Sequence, residues 1–346
     1  MKRSQWYRAG GGRLIVSVFA LCLAVFLGIF ALAGGVEAQG KGGGSLTIAT
    51  DRIGTTFNAM GSGMAKVVSQ FSPMTIIVRP FSGPDAWLPA LNQGELNLGA
   101  VSAFSSWQAY QAKAEYKQPL PNLRLLRSGE GSLMLGFVVP AKSNLRSVKD
   151  LKGKRVSAGW GGHTAIISSV TSALEAAGLK WSDVVEVPVV GAADGVQALM
   201  EGRLDASWAS FGMPQVRQAD ARIGVRYIPL ESSPQALEIY RRVAFPGAML
   251  KTAKAGSAPG AVADTPMLTY DSYLIANAKV SDEAVRSVLT TLWEHEKDLT
   301  VIHPGLRGFV NSAAVTEFPV IPYHPEAIRF YKEKGAWTPK AEAIQK

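Results

Sequence analysis

The stretch Gly159-Trp160-Gly161-Gly162-His163-Thr164-Ala165 sets glycines, an indole, an imidazole and a hydroxyl between an apolar run at 155–158 and a helical pattern that begins near His163. Such residues suit a catalytic loop, a cradle for a small anion, or a tight turn. Three other stretches join an apolar run to a helix start in the same way. Asp51 to Gly61 carries the hydroxyls of Thr55 and Thr56, followed by Phe57 and Asn58, with Arg52 as a positive charge. Pro80 to Trp87 offers Ser82 as a cap, Gly83, Pro84 for the first helical position and Trp87 as a wall. Val101 to Gln108 is the last, and Phe211 closes a further apolar run, 204–211. Helix N-termini present unpaired N–H groups and a positive dipole end, so they hold carboxylates or phosphates without any catalytic group. Each loop alone is equally a capped helix, and His163 equally a helix-start residue. Four of them at equivalent places point to a shared cleft.

Catalytic patterns are weaker. The four histidines, His163, His295, His303 and His324, show no His-x-x-x-His spacing for zinc. There is no Gly-x-Ser-x-Gly elbow. The glycine-rich stretch lacks the Gly-Lys-Ser/Thr ending of a P-loop and the spacing of a dinucleotide fingerprint. Glu294 with Glu296, and Glu201 with Asp205, read as solvated pairs. We expect a binding protein with no catalytic residue, no metal and no cofactor.

The elements that must position these loops follow from hydrophobic periodicity. Residues 46–50, 75–80 and 96–102 read as strands alternating with helices at 56–71 and 84–94, a βαβαβ order that predicts a mainly parallel sheet covered on both faces. A second series begins after 133–140. It has strands at 154–159, 184–191 and 204–211, with helices starting near His163 and at 195–202, and Gly178 at a helix end. The last third carries an extended run at 265–280, a helix at 281–299 opening on Ser281, and a final helix at 324–335 with Pro325 near its start and Gly335 at its end.

Length and charge bound the rest. Residues 1–38 combine Lys2, Arg3, Arg8 and Arg13 with an apolar run at 14–34 and small residues at 36–38, the pattern of a secretory signal peptide. The run is also long enough for an uncleaved anchor. Either way the remainder is expected outside the cytoplasm, in the periplasm. The single cysteine, Cys22, falls inside this segment, which removes disulfides and thiol chemistry from the rest. Four of the 36 basic and one of the 27 acidic residues also fall there, leaving a net charge of about +6. The basic residues are scattered among carboxylates rather than gathered in a stripe, which argues against nucleic acid. The tract 39–44 reads as a flexible linker, and about 300 further residues fit two lobes.

With these features in place, particular stretches resemble the TAXI solute receptors of tripartite ATP-independent periplasmic (TRAP) transporters. The run 322–337, PYHPEAIRFYKEKGAW, is similar to the family's C-terminal His-Pro-Gly-Ala-x-x-Tyr-Tyr-x-Glu-x-Gly, with Glu326 for Gly and Phe330 for the first Tyr. GTTFNAMG (54–61), LNQGELNLG (91–99), DLKGKRVSAG (150–159) and ALMEGRLDASWASFGMP (198–214) extend the similarity along the chain. The departures fall on the ligand loops: Phe57-Asn58 stands for Tyr-Tyr, Phe81 to Trp87 for Thr-x-Gly-Ser-x-Glu-Asn, and Gly161 to Thr164 for Gly-Ser-Gly-Thr.

The resemblance implies an α/β, two-lobed periplasmic binding protein of type II, with the ligand cleft between lobes. Lobe I would comprise 39–136 and 241–346, lobe II 137–240. Thr55, Thr56, Phe57, Asn58, Ser82, Gly83, Trp87, Trp160, Gly161, Gly162, His163, Thr164 and Phe211 would line the cleft around a small organic anion, a carboxylate by expectation. A monomeric receptor would deliver it to a TRAP permease. The rival readings are a receptor for an ABC transporter, a sensory subunit docking on a membrane kinase, and a periplasmic enzyme.

Overall fold

A computed structural model describes residues 44–345. The expected signal segment with Cys22, and all but the last residue of the linker, lie outside the described residues.

Strands β1 (Ser45–Thr50), β2 (Thr75–Pro80) and β3 (Leu98–Ser102) alternate with helices α1 (Thr56–Phe71), α2 (Pro84–Gln93) and α3 (Ala103–Tyr110). The long strand β4 (Leu123–Pro140) leads to β5 (Arg155–Gly159), α4 (Thr164–Ala176), β6 (Val185–Val189), α5 (Ala192–Met200), β7 (Ser207–Ser210) and α6 (Pro214–Ile223). After β8 (Val225–Tyr227), α7 (Pro234–Ile239) and β9 (Met249–Ala253) comes the second long strand, β10 (Thr265–Asn277). Helices α8 (Asp282–Glu294), α9 (Glu296–Thr300), α10 (Pro325–Glu333) and α11 (Pro339–Gln345) close the chain.

The main sheet has the order β2-β1-β3-β10-β4-β7, with β8 on β4 and β9 on β10, while β5 and β6 form a separate parallel pair. It is mixed rather than mainly parallel. β1 pairs in parallel with β2 and β3, but β10 runs antiparallel to β3, β4 and β9, and β4 antiparallel to β7 and β8. The C-terminal strand enters between the two α/β series, a placement that the local pattern of neither series encodes.

Helix α1 shows why the periodic elements form where they do. Thr55 accepts from the Asn58 amide at 3.2 Å as its cap, and Met60, Met64, Val67 and Val68 bury one face. The expected cap at Ser281 is also present, at the start of α8. The helix expected to run to 299 breaks at His295, whose ring stacks on Phe71 with centroids 3.7 Å apart, and resumes as α9.

Strands β4 and β10 share a register shift. Tyr270 faces Leu133 and Ser272 faces Gly129, so Glu130, Gly131 and Ser132 bulge opposite Asp271. The Asp271 carboxylate accepts from the Gly131 amide at 2.8 Å, and Gly131 takes a φ of 50°, where a Cβ would be strained.

Candidate functional site

The loops at the carboxyl ends of β1, β2, β5, β6 and β7 converge on one cavity of about 40 Å³. β1 delivers Asp51, Arg52, Thr55 and Thr56, and β2 delivers Ser82. His163 follows β5, Gly191 to Ala193 follow β6, and Ser210 and Met213 come from β7 and just beyond it. Apolar walls come from Phe57, Leu133, Leu135, Ile166, Trp208 and Tyr270. Convergence of strand ends is where open α/β sheets bind ligands. A void of this size holds roughly two or three waters.

The two sides of the cavity are latched together. Thr56 Oγ1 and Ser210 Oγ lie 2.7 Å apart, and the backbone N–H of Gln215 donates to Gly54 O at 3.2 Å. Arg52 pairs with Asp194 at 3.4 Å, with both side chains partly solvated, which limits that pair to about 1 kcal/mol or less. Asp85, in the first turn of α2, accepts from the Thr164 amide at 2.7 Å and from the Tyr116 hydroxyl at 2.8 Å. A protein carboxylate therefore caps α4 from the other side of the cleft. Gly83 makes this approach feasible, since a Cβ there would lie 2.1 Å from the Gly162 carbonyl oxygen.

Asp51 is the buried acid of the site. Its carboxyl is pushed up to about 6, first by burial, against the opposing pull of His163, whose Nδ1 lies 3.7 Å from Oδ2, and of the Trp87 indole N–H, while Asp85 pushes in the same direction as burial. Trp208 is fully buried and lines the cavity, and its indole Nε1, like that of Trp160, has no acceptor among the described residues. The start of α5 also lines this region through Gly191 to Ala193, with no side-chain cap on that helix. The cavity thus offers an acceptor at Asp51 and a donor at Arg52, with the Trp208 ring in its wall and the start of α5 beside it.

Of the residues expected in the cleft, the structure brings Thr55, Thr56, Phe57, Ser82 and His163 to the cavity. The others lie off it. Asn58 turns to Thr50, donating to its hydroxyl at 3.0 Å. Ser82 caps nothing, because the N-cap of α2 is Gly83, without a side-chain bond. Trp87 is core: it fills the space left by Gly99, where a Cβ would meet the ring at 2.4 Å. Trp160 is fully buried against Trp181, with ring centroids 6.2 Å apart. Gly161 stays outside the cavity, and Gly162 packs on Gly83 instead. Thr164 spends its amide on Asp85, and its hydroxyl is buried without a partner. Phe211 faces a separate hollow beside Lys251 and Pro304. The stretch 101–108 forms α3, capped by Ser102 through the Ser105 amide at 2.9 Å, and does not reach the cavity.

Sequence reasoning passed over Asp51, Gly191 to Ala193, Trp208 to Ser210, Met213 and Tyr270. The sequence did carry a signal for some of them. Asp51 is the first residue after β1, and an indole among small residues closes β7 just before Gly212 and Met213. Among the described residues no group of His, Cys, Asp or Glu side chains is arranged to hold a metal ion.

Comparison with known proteins gives a match of residues 48–335 to the family described as NMT1-like. Among solved structures, PhnD1 from Prochlorococcus marinus in complex with methylphosphonate aligns with a TM-score of 0.54 at 12% identity, covering 85% of this chain and 99% of that one. A periplasmic transporter aligns at 0.51 and 14%, covering 90% and 98%. The alkanesulfonate-binding protein SsuA from Xanthomonas axonopodis pv. citri bound to MOPS aligns at 0.48 and 17%, covering 86% and 95%. The fold is the two-lobed α/β arrangement that these solved structures share.

Proposed function

Since residues 48–335 make this chain a member of the NMT1-like family, we propose that it is an extracytoplasmic solute-binding receptor that captures a small organic anion in the interlobe cleft and hands it to a membrane permease. The observation that carries this reading is the cavity itself. Five loops from strand ends enclose it, and its wall includes Trp208, whose buried indole N–H lacks an acceptor among the described residues. A ligand oxygen at Trp208 would satisfy that donor, while Arg52, Thr56 and Ser210 supply charge and hydroxyl contacts. Burial of an unpaired donor costs about 1–3 kcal/mol, which ligand binding would recover.

At about 40 Å³ the cavity accepts a larger ligand only by parting the lobes. We take lobe I as 39–136 and 241–346 and lobe II as 137–240, with the chain crossing between them twice. The two crossings, at 136/137 within β4 and at 240/241 just after α7, would be the flexing elements. Ligand would favour closure because it touches both lobes only in the closed form.

For the permease we put ABC-type delivery first and TRAP delivery, with a carboxylate substrate, second. The C-terminal run that resembled TRAP receptors has structural work of its own. His324 caps α10 and its Nε2 meets Val280 O at 3.1 Å, Tyr331 donates to Leu126 O at 2.8 Å, and Glu326 and Phe330 are buried. Residues spent on packing carry no information about a docking partner.

The test is a thermal-shift screen of the purified protein against small phosphonates, sulfonates, carboxylates and amino acids. An anion present at about 100 times its dissociation constant adds about 2.7 kcal/mol of stability. A stabilising anion recovered unchanged supports the receptor. Turnover of the compound, or stabilisation by cations alone, sinks this reading.

A further inference from the structure

A second cavity, of about 470 Å³, is lined by Asp271, the β10 residue opposite the β4 bulge. Its size falls in the usual range for small-molecule sites, about 300–1,000 Å³. The rings of Trp107, Phe245, Tyr273 and Phe318 contribute to its walls, with Trp107 and Phe245 tilted 58° at a centroid separation of 5.7 Å, as two sides of a box. Two charges line it. Asp271 accepts from the Gly131 amide at 2.8 Å and the Thr316 hydroxyl at 3.2 Å, both neutral donors, and no cation among the described residues is paired with it. Burial raises its pKa, with Glu130 adding in the same direction, so the carboxylate sits where a cation would stabilise it. Arg241, exposed at the rim, donates Nε to Ala248 O at 3.2 Å and has no carboxylate partner among the described residues.

Aromatic faces attract ammonium groups through their quadrupoles, most strongly where water is excluded. Phe318 already does so on one face, with Lys340 Nζ 4.0 Å from its centroid. We propose that this cavity is a second ligand site, for a small methylated ammonium compound that also carries a carboxylate: the ammonium among Trp107, Phe245 and Tyr273 against Asp271, the carboxylate at Arg241. The two charges of such a zwitterion match the two unpaired charges of the site. The neighbourhood also connects the site to the cleft. Phe245 packs edge-on to Tyr270, 6.1 Å between centroids at 85°, and Tyr270 lines the cleft cavity. Any coupling between the sites acts equally in both directions.

The test is calorimetric titration of the purified protein with glycine betaine. The expected result is one saturable site, weakened about tenfold by Asp271→Asn and by Trp107→Ala, which remove the charge and one ring, and unchanged by Asp51→Asn in the cleft. Trp107 is only partly buried, so its variant reads the site even where Asp271→Asn disturbs the β4–β10 bulge. Absence of saturable heat overturns the proposal. So does binding that Asp51→Asn abolishes and Trp107→Ala leaves intact, because that places the ammonium in the cleft.

Discussion

Replacing Asp85 by Asn should open the cleft. The carboxylate accepts from the Thr164 amide at 2.7 Å across the cleft and from Tyr116 at 2.8 Å on its own side. Only the first contact depends on closure. Asn can keep both positions, with its oxygen towards the Thr164 amide and its nitrogen donating to the Tyr116 oxygen, so the change removes charge rather than shape. A hydrogen bond to a charged group contributes about 1.5–3 kcal/mol against about 1 for a neutral one. The lost charge at the α4 N-terminus adds roughly 0.3–1 kcal/mol. The closed form therefore loses about 1.4 kcal/mol or somewhat more, which is about a tenfold shift toward open. The sequence has one cysteine, Cys22, so a Cys22→Ser background leaves only introduced thiols to label. Probes at Lys66→Cys on α1 and Arg222→Cys on α6, both exposed, would report the distance between the two sides. Asp85→Asn should raise the population of long distances about tenfold and weaken a ligand found by the screen to match. An unchanged distance distribution would refute the latch.

Three further changes test the site. Asp51→Asn should stabilise the protein at neutral pH. Burial raises this carboxyl from 3.8 to about 6, so the folded form holds the proton more tightly than the unfolded chain. Stability tied to that proton is full below 3.8 and is lost as pH rises through about 6, a difference of about 3 kcal/mol. The variant should thus melt above the parent at about pH 7.5 and beside it at about pH 4, and a lower melting temperature at the higher pH would contradict the assignment. Gly83→Ala should fold normally, because the extended φ of 169° suits any residue, yet it should fail to close, since its Cβ meets the Gly162 oxygen at 2.1 Å. Small-angle scattering indistinguishable from the parent would argue against that steric limit. Trp208→Phe removes a buried donor without an acceptor, so the empty protein should gain about 1 kcal/mol while the anion loses affinity. Equal affinity in calorimetry would take the indole N–H out of the site.

How much of this was legible in the sequence depends on the range of the interaction that decides each feature. Helix α1 begins and ends where its pattern says, because its cap at Thr55 and its buried face are contained in one stretch. Strand β10 was readable as an extended run, but its place between β3 and β4, and the mixed sheet that results, depend on partners far away along the chain. The tryptophans divide on the same ground. Trp87 and Trp160 each begin or precede a helix, where an indole serves as a pocket wall or as core. What makes them core is the missing Cβ of Gly99 in one case and the ring of Trp181 in the other.

The glycine-rich stretch is the sharpest instance. Its sequence requires a helix N-terminus with free amides, and such a terminus draws a negative charge. Whether that charge is a ligand or a side chain is settled 79 residues earlier, at Asp85, whose own position reads only as an acid in the first turn of α2. Because the protein supplies this anion itself, a solute bound in the cleft does not need to neutralise α4. On the proposed reading its negative group would fall to Arg52 and the uncapped start of α5. Closure and ligand recognition would then be separate functions of neighbouring helix ends, with the α4 terminus latching the lobes and the α5 terminus meeting the solute.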